Sequence, residues 1–552
     1  MTQSYPHPEG GRRVATYRRG WNTRVWLATA PPRLATAPPV LLLLSLALLG
    51  VGCTRPVAVA QSPTVPAKRV ASPMPTFAVS APANALPVRT AGRLLVIVAP
   101  DAGQTDLRDR LTDVEAARNG AVFGTDAVFG GNTNAVLVSS NAASVRSFPL
   151  AGAPALPPGT YRVQAVFAHN PDLRGADAPG NLLSKPVVVT LPASKPVAIS
   201  LSEREPDETL PLETTSVKWV KIRSARLSAF HKRPVYLRAG VVLPPDYNTV
   251  RDAAARFPLC VQIGGFHTRY TAASRLSPHP GIVQVMLDGD GVFGDSYSTD
   301  SAVSGDYGNA TVNELLPVIE KRFDCGGSAR KRFTAGGSTG GWVSLALQVY
   351  YPDTFGGCWS GFPDSLDFRA YQNIDLYNDV NAYVAPSGAE RPSARDPLTG
   401  KTKWTVREEC ALENVSGRGG LYTTSGGQWG AWNTVYGTPN KSGRAVPFWN
   451  PATGAINHAA ADTAGKRYDL RRYCAANWSR LAPKLRGKIH VWVGERDEYF
   501  LNSGVHHFDD FLKTAMPRIA YRVEYSSTAG HGWQPRPRTA VLSEMLAASD
   551  GK

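Results

Sequence analysis

Ten residues in the middle of the chain, Phe333 to Trp342 (FTAGGSTGGW), constrain its fold more than any other stretch. A short lead from Arg332 to Ala335 runs into Gly336-Gly337-Ser338-Thr339-Gly340, and a helix-like segment with Trp342, Val343, Leu345, Ala346, Leu347 and Val349 follows. A serine with glycine two residues to either side, a strand before it and a helix after it has the form of a nucleophile elbow. Such a turn holds its serine at a strained φ/ψ, so small neighbours must clear room for it. The helix starting just after Ser338 aims its free N–H groups at the same place. With 51 glycines in the chain, a bare G-x-S-x-G arises readily by chance. Its weight comes from the flanking elements and from partners downstream.

A serine hydroxyl is a poor nucleophile near neutral pH and needs a base beside it, oriented in turn by an acid. Asp497 lies in the loop that leaves the apolar run Ile489 to Val493, and His531, in Gly530-His531-Gly532-Trp533, follows the next strand-like run. Ser338, Asp497 and His531 therefore stand in the order expected of an α/β-hydrolase triad. Glu495 and Glu498 compete for the acid's place, and His267, His279, His490, His506 and His507 for the base's. His490 falls within a strand-like run and His506 and His507 on a helical one, whereas His531 sits in a glycine-flanked loop. The adjacent histidines with Asp509 resemble part of a metal-ligand set, but neighbours on a helix diverge by roughly 100°, which favours a solvated face and no metal site. The oxyanion of acyl transfer needs preorganised N–H donors. One is expected from Thr339, and the second from the loop Ile263-Gly264-Gly265-Phe266-His267, with Phe266 named first and Gly265 as the alternative. Asp288, Asp290, Asp295 and Asp300, in a glycine-rich stretch, either line the cleft or cap turns, and the second reading is favoured.

From about Ser216 onward, strand-like and helix-like runs alternate, the pattern of an α/β fold with a mostly parallel sheet. Strands are expected at 234–243, 259–263, 282–287, 357–362, 489–493 and 521–525, and helices at 312–323, 470–481, 505–512 and 539–547. Residues 371–465 break the rhythm: they are rich in Gly, Asn, Thr and Trp, including Trp404, Trp429, Trp432 and Trp449. An insertion that long is read as a cap forming a pocket wall, the place for substrate specificity. Upstream, 92–205 carries short β-type runs at 94–98, 135–138, 161–167, 187–189 and 197–199, separated by turn clusters, which reads as a small all-β sandwich. The Pro/Ala-rich stretch 54–91 reads as a disordered tether.

The net charge of +16 is partly local, because Arg12, Arg13, Arg18, Arg19, Arg24 and Arg33 precede residue 41 against Glu9 alone. No dense basic run with interleaved aromatics occurs elsewhere, which argues against a nucleic-acid partner. Val40 to Leu49 is too short to span a bilayer comfortably and suits the apolar core of an export signal. It ends at Gly50-Val51-Gly52-Cys53, small residues before a cysteine, similar to a bacterial lipobox with Gly50 where leucine is usual. Lipidation of Cys53, with membrane anchoring through it, and simple cleavage are both open, so the expectation is an exported protein, envelope-anchored or secreted. The other cysteines, Cys260, Cys325, Cys358, Cys410 and Cys474, are odd in number and lack C-x-x-C spacing, which permits at most two internal disulfides.

Five segments taken together carry a resemblance: Ile263-Gly264-Gly265-Phe266, Glu314-Leu315-Leu316-Pro317, Gly336 to Trp342, Tyr351-Pro352-Asp353-Thr354-Phe355-Gly356-Gly357 and Gly530-His531-Gly532-Trp533. Across residues 217–547 the chain resembles the putative-esterase family of α/β-hydrolases, which includes esterase D and enterochelin esterases. The resemblance implies a cofactor-free serine esterase that works through an acyl-enzyme on a small-molecule ester. It places the nucleophile on Ser338, the base on His531 and the acid on Asp497. Two departures stand out: the elbow usually has histidine where Gly337 stands, and the 371–465 insertion is long. An acyltransferase on the same scaffold and a non-catalytic cell-surface binding protein are the alternatives. Oligomeric state has no signature in the sequence.

Overall fold

The computed structural model describes residues 75–86, 88–131, 134–139, 142–149, 156–248 and 256–551. The export signal, Cys53 and the tether as far as residue 74 lie outside the described residues.

The half of the chain from Val217 onward is organised on one eight-stranded sheet. Its strands are β1 (Val217–Arg223), β2 (Tyr236–Val242), β3 (Leu259–Ile263), β4 (Val283–Leu287), β5 (Arg332–Gly337), β6 (Gly357–Gly361), β7 (Ile489–Gly494) and β8 (Arg522–Ser526). The spatial order is 1-2-4-3-5-6-7-8, with β2 antiparallel to both its neighbours and every other pair parallel. Strands β3, β4 and β6 are buried along their whole length and β5 from Phe333 onward, as a parallel sheet covered on both faces requires. That is why they read in the sequence as unbroken apolar or small-residue runs. Strand order and direction together are those of an α/β-hydrolase, and loops that carry chemistry gather at the carboxyl ends of such strands.

Helix α1 (Thr339–Tyr350) follows β5 and is buried from Thr339 to Val349. Its first turn approaches β3 so closely that a Cβ at Gly340 would collide with the Ile263 carbonyl oxygen, and one at Gly336 would lie 2.6 Å from that atom. The two glycines of the motif are thus demanded by a close backbone approach. Trp342, Val343, Leu345, Leu347 and Val349 all enter the main core, each contributing roughly 1.5–3 kcal/mol of burial if fully removed from water.

The insertion is more regular than its sequence promised. It holds a two-stranded ribbon (Pro392–Arg395 with Thr402–Thr405) and helices α2 (Val406–Ser416), α3 (Gln428–Tyr436) and α4 (His458–Tyr468). α3 is buried from Trp429 to Tyr436, so it has no solvated face and no amphipathic period to detect. Buried Glu413 of α2 accepts hydrogen bonds from the N–H groups of Trp429 (2.9 Å) and Gly430 (2.8 Å) and from the Ser425 hydroxyl (2.7 Å), capping the start of α3. After the insertion come α5 (Leu470–Leu485), α6 (Leu501–Thr514) and α7 (Arg538–Ser549).

Upstream, a three-stranded and a seven-stranded sheet share one apolar core, with Phe77, Val79 and Val138 from the first meeting Leu94, Val96, Phe123 and Val163 from the second. The tether expectation needs correction at its carboxyl end. Residues Thr76–Ser80 form a strand paired with Ala135–Ser139 and Val197–Ser200, its alternation burying Phe77 and Val79. Five alternating residues among prolines are too short a pattern to stand out from a linker. A second strand, Ala121–Phe129, also went unread because Gly124-Thr125-Asp126 interrupts its apolar run. This upstream unit docks on α2: Ala411, Leu412 and Val415 pack with Leu95, Ile97 and Val122. Buried Arg93 donates to the Val415 carbonyl (2.8 Å) at the helix's carboxyl end and pairs with Asp126 (3.0 Å). The five described cysteines are all buried and free.

Candidate active site

Ser338 occupies the turn between β5 and α1 with φ 59° and ψ −125°, a strained conformation for any residue with a side chain. Its own N–H is tied to the Gly361 carbonyl (3.0 Å) and its carbonyl takes the N–H groups of Gly341 (2.8 Å) and Asp364 (3.2 Å). Those bonds over-determine the turn. Because glycine adopts this φ without penalty, Ser338→Gly is expected to raise unfolding stability by about 1 kcal/mol in denaturant titration while leaving no hydroxyl for chemistry.

Asp497 and His531 stand at the ends of β7 and β8 and meet directly, His531 Nδ1 lying 2.8 Å from Asp497 Oδ2. Asp497 is fully buried, and its Oδ1 accepts from the N–H groups of Tyr499 (2.9 Å) and Leu501 (3.3 Å). The two competing acids are engaged elsewhere. Glu495 bonds His506 (2.8 Å) and Asn502 (3.1 Å), and Glu498 takes the backbone N–H of His531. The competing histidines are likewise accounted for: His490 stacks on Trp359, His507 faces Asp367 at 3.5 Å, and His279 bonds the Pro280 carbonyl. Asp509 accepts from the Tyr521 and Tyr525 hydroxyls.

His531 is clasped between the rings of Phe362 (4.8 Å, edge-on) and Tyr499 (4.9 Å, edge-on). Phe362 also accounts for the departure at Gly337, because any Cβ there would collide with the Phe362 ring. The small residue makes room for the aromatic that supports the imidazole. Burial disfavours a charge on His531, but Asp497, with further help from Asp364 and Glu498, outweighs it and raises the pKa above the usual imidazole value.

Asp364 escaped the sequence reading. It follows β6 as Asp497 follows β7, and that shared position was the available signal. It is buried, and its Oδ2 accepts from the Tyr297 hydroxyl (2.6 Å), the Thr339 hydroxyl (2.9 Å) and the Trp432 indole (3.2 Å). Trp432 Nε1 also contacts the Tyr297 hydroxyl, to which Gln428 Nε2 donates at 2.6 Å. Helix α3 of the insertion is thereby bound to the start of α1. Ser338 Oγ is turned towards Asp364 Oδ1 at 3.5 Å, and among the described residues no hydrogen bond joins it to His531 in this conformation. Burial raises the Asp364 pKa despite these donors.

The N–H groups of Thr339 and Phe266 have no partner among the described residues. Phe266 belongs to a tight turn closed by the Thr268 N–H on the Gly265 carbonyl (2.9 Å), and Gly265 lies against the Gly337 carbonyl. The third residue of that turn, His267, has φ 59°, a value usually left to glycine. What holds it there is a set of bonds: its N–H to Asp295 (3.0 Å), Nδ1 to Asp290 (2.6 Å) and Nε2 to the Gly426 carbonyl (2.8 Å). Both ring nitrogens face acceptors, so both must carry protons. Burial opposes that charge, but Asp290 and Asp295 overcome it and push the pKa to about 9. Asp288 pairs with Arg269 (2.6 Å), and Asp300 takes the Asn309 N–H (2.8 Å). The four aspartates thus fix loops, and two of them fix the turn that presents Phe266.

A folded pKa above the unfolded value of about 6.5 means that the His267 contribution to stability is complete below that pH and is lost as pH rises through about 9. Any chemistry that uses His531 as a base is therefore expected to rise as His531 deprotonates, above the ordinary imidazole range, and to fall again near pH 9. A kcat/KM profile, repeated with His267→Asn, which tolerates a positive φ, checks the alkaline limb: it should disappear in the variant.

Residues 293–522 match the family described as "Putative esterase". Over these residues the chain is similar to that family. Ser338, Asp364 and Asp497 lie inside the matched segment of the esterase, whereas the Gly265-Phe266 turn and His531 lie outside it. The esterase is a hydrolase of carboxylic esters. Among curated proteins none matches the chain. Among solved structures it is similar to a ferulic acid esterase (14% identity, 60% of this chain and 97% of that one, TM-score 0.35). It is also similar to an S-formylglutathione hydrolase from Agrobacterium tumefaciens (12%, 61% and 92%, TM-score 0.31). A hyperthermophilic esterase from Pyrobaculum calidifontis is a third (15%, 61% and 84%, TM-score 0.34).

Proposed function

We propose that the chain is an exported serine esterase that cleaves a small-molecule carboxylic ester through an acyl-enzyme on Ser338. The observation that carries this reading is the 2.8 Å pairing of His531 Nδ1 with buried Asp497, beside a serine held at positive φ. In the reaction, Ser338 Oγ turns by one rotamer from Asp364 towards His531 Nε2, which takes its proton as the oxygen bonds the ester carbonyl carbon. Asp497 keeps Nδ1 protonated and stabilises the imidazolium. The oxyanion is received by the N–H groups of Thr339 and Phe266, with Gly265 supplying the room for Phe266 to approach. His531 then returns the proton to the leaving alkoxide, and water repeats the sequence on the acyl-enzyme to release the acid and free Ser338.

The insertion acts as a cap in this scheme, with Gln428 and Trp432 of α3 fixing the floor beside the nucleophile. Export rests on the apolar run ending at Cys53, with lipidation there as the anchoring route. Purified protein should hydrolyse an activated short-chain ester such as p-nitrophenyl acetate. The absence of hydrolysis above buffer across a panel of acyl lengths would count against the proposal.

A further inference from the structure

Where the 169–181 loop of the upstream unit meets the insertion, three cationic side chains gather, with Asp126 near Arg418 as a partial counter-charge. Arg174 packs its stem on Gly426, and its guanidinium carbon stands 5.4 Å from the centre of the Phe293 ring. Its Nε is buried and makes no hydrogen bond. From the insertion come Arg418 and Arg444, the latter with Nη1 against Gly419, the residue next to Arg418. Among the described residues no carboxylate hydrogen-bonds any of these three guanidinium groups, Asp126 included. The nearby acids are already engaged: Asp126 takes Arg93 (3.0 Å) and the Gly419 N–H (2.8 Å), and Asp172 is held by Arg233. Burial, and then the charges of Arg418, Arg444 and Arg233, push the Arg174 pKa down to about 10.

Like charges brought together and partly desolvated raise the folded state's free energy unless an anion relieves them. The planar fork of arginine suits a carboxylate or phosphate, which it can grip through two parallel bonds. We propose that Arg174, Arg418 and Arg444 form a binding site for an anionic group, a carboxylate or a phosphate, at the junction of the upstream unit and the esterase. This gives the upstream unit a part in ligand recognition, since it supplies Arg174. The site also adjoins the catalytic loops: Gly426, on which Arg174 packs, offers its carbonyl to His267 in the turn that presents Phe266 (2.8 Å). The anion is either an acidic group on the substrate or a free ion. Its link to substrate rests on the esterase reading, whereas the site itself does not.

The test is thermal unfolding of the whole protein titrated with inorganic phosphate at ionic strength held constant with sodium chloride. A ligand that binds only the folded state raises the midpoint saturably. The parent should show that rise, Arg174→Gln should lose it, and Arg444→Gln, at an exposed residue, should weaken it at least about tenfold. Lys195→Gln, an exposed cation elsewhere, should respond as the parent does. A parent indifferent to phosphate, or the two arginine variants responding as the parent does, would overturn the proposal. The source is resolved by kinetics on two activated esters differing only in a terminal carboxylate. A preference of about tenfold for the acidic ester that Arg444→Gln removes assigns the site to substrate. A phosphate effect on the neutral ester alone assigns it to a free anion. Phosphate stabilisation in a protein that hydrolyses neither ester would leave the anion site standing and remove the esterase reading.

Discussion

Alanine in place of Ser338 is expected to lower kcat for an activated ester by about a million-fold, because nucleophile and base act as one unit and either loss forfeits the covalent route. The protein should unfold at the same temperature as its parent. Alanine keeps the same positive φ, and the backbone bonds of the turn to Gly361 and Asp364 do not involve the hydroxyl. Among the described residues, the only side-chain bond removed is the 3.5 Å contact to Asp364. A steady-state assay beside a melting curve separates chemistry from folding, since a misfolded variant would lose both.

Asparagine in place of Asp497 should cost about 10⁴ in kcat. The expectation follows from the donors around the carboxylate. Oδ1 is fixed as an acceptor by the N–H groups of Tyr499 and Leu501, so an amide at this position must direct its NH₂ at His531 Nδ1. That nitrogen would then have to be the unprotonated one, leaving a proton on Nε2 where the base is needed. Glu495→Gln and Glu498→Gln should each cost less than about tenfold, because neither acid meets the His531 ring. If Glu498→Gln were the damaging change and Asp497→Asn the mild one, the acid would be misassigned.

Much of the candidate site's framework was legible because parallel sheets leave strong local marks in the sequence. Fully buried strands read as apolar runs, and glycines at 336 and 340 answer to a backbone contact with Ile263 that no side chain could accommodate. Asp497 and His531 were legible because they sit just past such runs. Asp364 was not, although it occupies the same kind of position after β6: its significance lies in Tyr297, Thr339 and Trp432, which converge on it from three separate parts of the chain. Nor was α3, whose burial on all sides removes the polar face that marks a helix. His267 shows the same limit. Its φ and its two ring bonds join residues 267, 290 and 426, a relation that only tertiary packing creates. The strand Thr76–Ser80 was lost to its own brevity.

The most direct measurement is covalent labelling with a serine-reactive phosphonate, followed by intact mass and peptide mapping. One adduct per chain, carried by the peptide that contains Ser338, with labelling abolished in Ser338→Ala and activity lost in step with labelling in the parent, is the predicted result. An adduct on another serine, or a parent that stays unlabelled while it hydrolyses ester, would contradict the assignment of Ser338 as the nucleophile.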